Sequence, residues 1–285
     1  ILAGKTTPTF PYDIPKLCRS LGSLQPFTMS PFANTLLTDF ALSAIKNEKL
    51  GQDEYPDMLC ISYSSPDIAG HAFGPDSKEI EDMYIRFDLE LARLLKSLEK
   101  SFGKSDFTLF LTADHGVVPV PQKLVDDGLP GGYVFVDQII NKLRASSVDH
   151  FGVDFILGQD NLNIYLDYDL LHTRRDSIHI NQVLALFENN LSNLEGIKQT
   201  SRGTDLIKPT ESHDHLIQML SKGFDPKRSG DLLLILEPGY LPKSSLSLNP
   251  KKGTSHGSGY TYDTHVPCLW YGSGIKNKEL NQLLN

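Results

Sequence analysis

The chain alternates short apolar runs with helical patterns, and this alternation constrains its fold more than any other feature. Residues 57–64 and 107–112 are apolar runs of strand length that are bounded by polar residues. Between them, from Glu79 to Leu98, apolar residues recur at helical spacing with charged residues opposite. A strand–helix–strand unit of this length is typical of a parallel crossover connection. The pattern therefore predicts an α/β fold with a mostly parallel sheet flanked by helices.

Other segments fit the same fold class. The patterns predict helices at 31–48, 181–194 and 210–221, strands at 162–168, 231–236 and 266–271, and extended chain or loop over 1–30. Residues 117–230 are the less regular part of the sequence. We expect one domain over residues 1–285, in which residues 117–230 form an inserted cap or lid region.

Composition excludes several classes of function. The 285 residues carry a formal net charge of −8, which disfavours a non-specific nucleic-acid binder because such a protein needs a basic face. The same charge is compatible with phosphate esters as substrates if bound cations reverse the local field. No apolar run approaches the ~20 residues that a membrane-spanning helix needs. The chain begins at Ile1 without a basic-then-apolar leader, which predicts either a removed leader or a piece of a longer protein.

Polar clusters follow the predicted strands, and ligands of open α/β sheets bind beyond the carboxyl ends of strands. In the first cluster Asp67 and His71 lie four residues apart, so one helical turn would bring both to one side. A carboxylate and an imidazole that point the same way suit zinc. The alternative is a polar turn with an incidental histidine.

The second and third clusters have the same chemistry. Asp114-His115-Gly116 follows the strand at 107–112. Adjacent side chains of a strand point to opposite faces, so Asp114 and His115 reach one site only if the chain turns there. Alternatively, they face two neighbouring ions. Residues 253–267 form a Gly/Ser/Thr-rich loop with His256, Asp263 and His265. Each cluster alone is compatible with an ordinary surface loop. Together, Asp and His at three strand ends predict a site assembled from a sheet, with N and O ligands rather than thiolates.

Read in order, these elements resemble a known family. They are Asp67-x-x-Gly70-His71-x-x-Gly74-Pro75, Thr112-Ala113-Asp114-His115-Gly116, and Ser255-His256-Gly257 followed by Tyr262-Asp263-x-His265-Val266-Pro267. They resemble the type I phosphodiesterase/nucleotide pyrophosphatase branch of the alkaline phosphatase superfamily, and bacterial phosphate-irrepressible alkaline phosphatases most of all. The likeness spans about residues 10–275 and implies an alkaline-phosphatase-like layered sheet.

The resemblance implies zinc-dependent hydrolysis of phosphate esters with two Zn²⁺ ions and a Thr or Ser nucleophile. By position, Asp67, His71 and His256 should bind one zinc, and Asp114 and His115 should bind the other. His256 is preferred to His265 because the last ligand of the family is the His of a His-Gly pair. His265 is the second choice.

Some elements of the family have no counterpart in the sequence. The nucleophile, its helix, the first strand with its Asp, and the phosphate-contacting Lys and Arg residues belong upstream of Ile1. The closing helix of the family is missing or altered after Gly274. The resemblance thus implies the C-terminal half to two-thirds of the enzyme, with no catalytic nucleophile in the chain. We expect one zinc at Asp67/His71/His256, a weak or empty second site, and little activity of the chain alone.

Other readings stay open. A phosphomutase or a sulfatase would belong to the same superfamily, and a truncated or degenerate domain would bind metal without catalysis. The expected partner is a small-molecule phosphate ester or nucleotide, with no nucleic acid and no membrane span. Export to the periplasm or secretion is implied by the resemblance alone.

Overall fold

The structure, a computed structural model, describes residues 10–174, 177–207, 214–247, 253–276 and 278–279. Its helices are α1 (Ile14–Leu21), α2 (Gln25–Thr28), α3 (Pro31–Asn47), α4 (Ser65–Phe73), α5 (Lys78–Phe102), α6 (Pro121–Asp126), α7 (Val136–Phe151), α8 (Tyr168–Arg174), α9 (Ile180–Leu191), α10 (Gly203–Leu206), α11 (His215–Gly223) and α12 (Thr261–Thr264). Its strands are β1 (Thr108–Thr112), β2 (Gly132–Phe135), β3 (Ile156–Asp160), β4 (Asn163–Leu166), β5 (Ile197–Arg202), β6 (Leu232–Leu236), β7 (Tyr240–Lys243) and β8 (Cys268–Gly272). The chain divides into two compact units, residues 1–114 with 266–285, and residues 115–265.

In the first unit, helix α5 packs against α3 and α4. The apolar stripe of α5 supplies the buried residues Ile80 and Met83, which contact the buried Ala69 of α4. The hydroxyl of Ser77 accepts a hydrogen bond from the backbone N–H of Ile80 at 3.2 Å and so caps the start of α5. The helices predicted at 31–48 and from Glu79 are therefore confirmed.

Strands β1 and β8 form an antiparallel pair in the same unit. Thr108 lies opposite Gly272 and Thr112 lies opposite Cys268. This pairing confirms the strands predicted at 107–112 and 266–271. It also places Asp114 two residues beyond the end of β1.

Two predictions for this unit are wrong. Residues 57–64 pair with no described strand, and Met58 is 77% exposed, although an apolar run alone predicted a buried strand there. A strand forms only where a neighbouring backbone accepts its hydrogen bonds, which its own sequence does not reveal. Conversely, residues 1–30 include the helices α1 and α2. Pro15 and Pro26 lie in the first turns of these helices, where the missing N–H of proline costs nothing.

The second unit contains a four-stranded antiparallel sheet in the order β3-β4-β6-β5. Strand β6 is buried along its whole length, and helices α7 and α9 share one apolar core with the sheet. Strands β2 and β7 form a separate parallel pair. The strands predicted at 162–168 and 231–236 and the helix predicted at 181–194 are confirmed. The helix predicted at 210–221 corresponds to α11, although its residues 210–213 lie outside the described part of the chain.

The α/β class with flanking helices is confirmed, but a mostly parallel sheet is not what the described strands form. Among their pairs only β2 with β7 is parallel. One reason is the tight turn between β3 and β4, where Asn161 has φ 49°. A turn this short can join only antiparallel neighbours. The insertion of residues 117–230 as a cap stays a prediction.

Candidate metal centre

Asp67 and His71 lie on helix α4 in the first unit. The Oδ1 atom of Asp67 and the Nε2 atom of His71 are 3.3 Å apart, and both side chains are partly exposed. The opposite side of the helix buries Ala69 against α5, so the two polar side chains are left on the accessible side. The spacing of four residues thus brings a carboxylate and an imidazole together, as predicted.

Asp114 and His115 follow strand β1, and the chain turns at this point. The Asp114 side chain is exposed and the His115 ring is half-buried. The N–H of Gly116 donates a hydrogen bond of 2.7 Å to the carbonyl of Asp263. A Cβ atom at position 116 would lie 2.1 Å from the carbonyl oxygen of Tyr262. The close approach of the two backbones therefore requires glycine at this position.

His115 and His256 lie together in the second unit. Their imidazole rings stack with centroids 3.3 Å apart and planes inclined by 11°. The Nδ1 atom of His115 lies 2.9 Å from the carbonyl oxygen of Gly116. Because a carbonyl only accepts, a neutral His115 carries its proton on Nδ1 and keeps the lone pair on Nε2. In that tautomer Nε2 is the ring nitrogen that carries the lone pair.

The loop that carries His256 is held by buried polar side chains. Asp263 is 4% exposed, and its Oδ2 atom accepts hydrogen bonds from the N–H of Ser258 at 2.8 Å and from the Ser258 hydroxyl at 2.6 Å. The buried Thr254 hydroxyl donates to the carbonyl of Val118. The sequence showed Asp263 only as a member of the third cluster and gave no role to Thr254. Their contacts depend on backbone geometry, so no spacing rule would have identified them.

Tyrosines in the same loop have a structural role. The hydroxyl of Tyr260 donates to the carbonyl of Leu236 at 2.8 Å. Burial, with smaller contributions from Tyr262 and nearby acidic groups, raises the pKa of Tyr260 to about 12. Burial also raises the pKa of Tyr262. Both phenols therefore keep their protons at neutral pH, which suits hydrogen-bond donors rather than nucleophiles or bases.

His265, the second choice as a ligand, is exposed and follows α12 directly. His256 is half-buried against His115. The structure therefore pairs Asp67 with His71 and His115 with His256, each pair within one unit. The assignment of these side chains to particular ions stays a prediction.

None of the helices in the described ranges is long and apolar enough to cross a membrane.

Comparison with known proteins identifies the relatives of the chain. Residues 6–259 match the family model described as type I phosphodiesterase / nucleotide pyrophosphatase. The chain is 34% identical over 284 residues to alkaline phosphatase PafA of Elizabethkingia meningoseptica, covering 99% of this chain and 50% of that protein. It is 35% identical over 278 residues to a Myroides odoratus protein named calcium-transporting ATPase, covering 96% of this chain and 49% of that protein.

The solved structures agree with the sequence relatives. The crystal structure of wild-type PafA superimposes with a TM-score of 0.87 at 33% identity, covering 99% of this chain and 52% of the PafA chain. A phosphonoacetate hydrolase from Sinorhizobium meliloti has a TM-score of 0.53 at 15% identity, which shows a shared fold only. The chain spans about half the length of the curated relatives it matches.

Proposed function

Because the chain belongs to the type I phosphodiesterase/nucleotide pyrophosphatase family, we propose that it forms the metal-binding part of a zinc-dependent phosphate ester hydrolase. This family includes phosphoric ester hydrolases such as the alkaline phosphatases PafA and PhoV. The observation that carries the proposal is the convergence of His115 and His256, whose ring centroids are 3.3 Å apart although the residues are 141 positions apart in the sequence. Two imidazoles side by side could serve two neighbouring zinc ions, one ring for each ion.

We assign Asp67, His71 and His256 to one zinc ion, and Asp114 with His115 to a second. The donors are carboxylates and imidazoles, the set that suits zinc in the absence of thiolates. A further observation supports a cation here. The Oδ1 atom of Asp263, next to the His256 loop, is buried and has no hydrogen-bond partner within the described residues. A buried carboxylate oxygen without a donor is costly, and a nearby positive charge would offset that cost.

The residues of the chain would bind and orient, while the reacting hydroxyl would come from outside it. Bound zinc would supply positive charge for the phosphoryl oxygens and would lower the pKa of the attacking hydroxyl. His115 would contribute Nε2, since its Nδ1–H donates to the carbonyl of Gly116 in the neutral form. The carboxylates of Asp67 and Asp114 supply negative charge on accessible surfaces that a cation can reach. The Thr or Ser nucleophile is proposed to lie upstream of this chain.

The substrate class follows from the same chemistry. A small phosphate ester or a nucleotide would be attracted by bound cations although the chain carries a net charge of −8. Nucleic acid is not an expected partner. Periplasmic or secreted localisation is part of the proposal and is supported by the resemblance to bacterial alkaline phosphatases.

The second candidate is a truncated or degenerate domain that binds metal and has no catalytic activity of its own. The relevant observation is that the matched part of this chain spans about half the length of the curated relatives PafA and the Myroides protein. The phosphomutase and sulfatase readings have no comparable support, because the family match covers residues 6–259.

A chimera distinguishes the two candidates. In it, this chain replaces the matching half of Elizabethkingia PafA, and hydrolysis of a chromogenic phosphate ester is measured with zinc. We expect zinc-dependent turnover that falls at least about 100-fold with His256→Ala, because a metal ligand contributes more than the outer groups that support it. The isolated chain should hydrolyse the ester very slowly.

The matched control is His179→Ala, which alters a helix-capping histidine of α9. A folded, zinc-loaded chimera without activity would favour the degenerate domain. Rapid turnover by the isolated chain at stoichiometric zinc would contradict the upstream nucleophile.

A further inference from the structure

In the second unit, Asp263 contacts both segments that carry the candidate histidines. Its side chain accepts two hydrogen bonds from Ser258, two residues after His256, at 2.8 and 2.6 Å. Its backbone carbonyl accepts a 2.7 Å hydrogen bond from Gly116, the residue after His115. One buried residue thus connects the two backbones on which His115 and His256 stand.

The free-energy cost of burying the Asp263 carboxylate indicates that this residue has a role beyond packing. The side chain is 4% exposed, and its Oδ1 atom has no hydrogen-bond partner within the described residues. An apolar residue of similar size would avoid the free-energy cost of burying that oxygen. The carboxylate accepts two donors of Ser258 at once, and hydrogen bonds to a charged acceptor are stronger than neutral ones.

The two rings need such support. Their centroids are 3.3 Å apart and their planes are nearly parallel, so a small movement of either backbone segment would separate them. Both segments are loops outside β-ladders, and loops place side chains less accurately than strands or helices. Gly116 has no side chain that could hold its segment, and its N–H bonds only to Asp263 among the backbone hydrogen bonds found there.

We propose that Asp263 is the positioning residue of the metal centre, which sets the place of His256 through Ser258 and that of His115 through Gly116. This inference rests on the proposed function in that it takes the two histidines as zinc ligands. It adds a residue that is not among the assigned zinc ligands. Groups that orient metal ligands in this way change metal affinity when they are removed, although they are not ligands themselves.

The first test needs no metal. The imidazole signals of His115 and His256 are recorded by NMR in the metal-free chain for Asp263→Ala and Asp263→Asn. We expect Asp263→Ala to shift the signals of the His256 ring, because Ser258 loses its acceptor, and to shift those of His115 through the stacked ring. Asp263→Asn should restore most of the parent spectrum, because the amide oxygen of Asn can still accept from Ser258. Unchanged ring signals in Asp263→Ala would overturn the inference whether or not the chain binds zinc.

The control is Asp137→Ala. Asp137 also accepts hydrogen bonds from the N–H and the hydroxyl of one serine, Ser245, but that serine follows β7 and neighbours no candidate ligand. The control therefore removes the same pair of interactions elsewhere in the second unit. We expect it to leave the signals of His115 and His256 unchanged, and an equal shift in the control would show a general loss of structure instead of positioning.

The second test measures zinc affinity by competition with a coloured chelator. Asp263→Ala should weaken zinc binding about 10- to 100-fold, and Asp263→Asn should recover most of that loss. If Asp263→Ala does not fold, Ser258→Ala is used in its place. This variant removes one hydrogen bond to the carboxylate and should lower zinc affinity about 10-fold. If His256→Ala weakens binding and the Asp263 and Ser258 variants do not, the positioning role is wrong and the proposed function stands. If His256→Ala also binds zinc like the parent, the ligand assignment of the proposed function fails.

Discussion

Tyr168 illustrates how a single contact makes stability depend on pH. Its hydroxyl donates to the Oδ1 atom of Asp231 at 2.6 Å, while the N–H of Leu166 donates to Oδ2 at 2.8 Å. Burial and this carboxylate raise the pKa of Tyr168 to about 12 from the usual 10.0. The neutral phenol therefore stabilises the folded chain below pH 10, and this stabilisation is lost as the pH rises to about 12.

We expect Tyr168→Phe to remove the part of the alkaline pH dependence that belongs to this phenol. The free energy of unfolding in urea, measured from pH 8 to 12, should fall less steeply with pH than in the parent. The reason is that the variant lacks a phenol whose pKa differs between the folded and unfolded states. Asp231→Asn should shift the last step of the tyrosine absorbance titration to lower pH. Identical slopes in Tyr168→Phe and the parent would show that this hydrogen bond does not control the titration.

Gly116 gives a second prediction for one residue. Because a Cβ atom would lie 2.1 Å from the carbonyl oxygen of Tyr262, Gly116→Ala forces two backbones apart. We expect the free energy of unfolding to fall by about 1–3 kcal/mol, as for other overpacked sites. Gly223→Ala is the matched control, since no atom lies within 4 Å of its Cβ position. An equal effect in both variants would contradict the close approach at Gly116.

Local and distant contacts differ in how far a sequence reveals them. The pairing of Asp67 with His71 could be predicted because residues four apart share one side of a helix. The stacking of His115 on His256 was not predicted, although the family resemblance named both residues. Asp263 received no role, because its value depends on the backbones that it joins. Residue type and spacing cannot show which loops meet.

At the scale of elements, the antiparallel sheet of the second unit provides a matched pair of leucines. Leu166 on β4 is 1% exposed, and Leu157 on the neighbouring strand β3 is 67% exposed. We expect Leu166→Ala to lower the free energy of unfolding by about 2–5 kcal/mol, because it leaves a cavity in the core. Leu157→Ala should change it by at most about 0.5 kcal/mol. Similar urea midpoints for the two variants would contradict this burial pattern.

Helices and strands with a clear apolar pattern could be predicted from the sequence. Strands whose formation depends on a neighbouring strand could not. Helix α5 followed from its apolar stripe, and β6 followed from its continuous apolar run. The run at 57–64 has the same sequence character as β6, but it has no described strand beside it and is largely exposed. The direction of the strands was also missed, since apolar runs carry no information about which strand lies alongside.

At the scale of the whole molecule, the net charge is compatible with the proposed function. A chain with a net charge of −8 can serve an anionic substrate if its carboxylates hold cations. Asp67 and Asp114 supply two such carboxylates on accessible surfaces, and that of Asp67 lies beside the His71 imidazole. The alkaline-phosphatase-like fold, at a TM-score of 0.87 to PafA, supplies the framework for this arrangement.

Zinc titration of the metal-free chain, followed by calorimetry, tests the central claim most directly. We expect one tightly bound zinc, a loss of that binding in His71→Ala and His256→Ala, and unchanged binding in His265→Ala. Each variant must show the thermal unfolding of the parent in its metal-free form, so that a change reports ligation and not folding. A chain that binds no zinc, or a His256→Ala variant that binds zinc as tightly as the parent, would contradict the proposed zinc site.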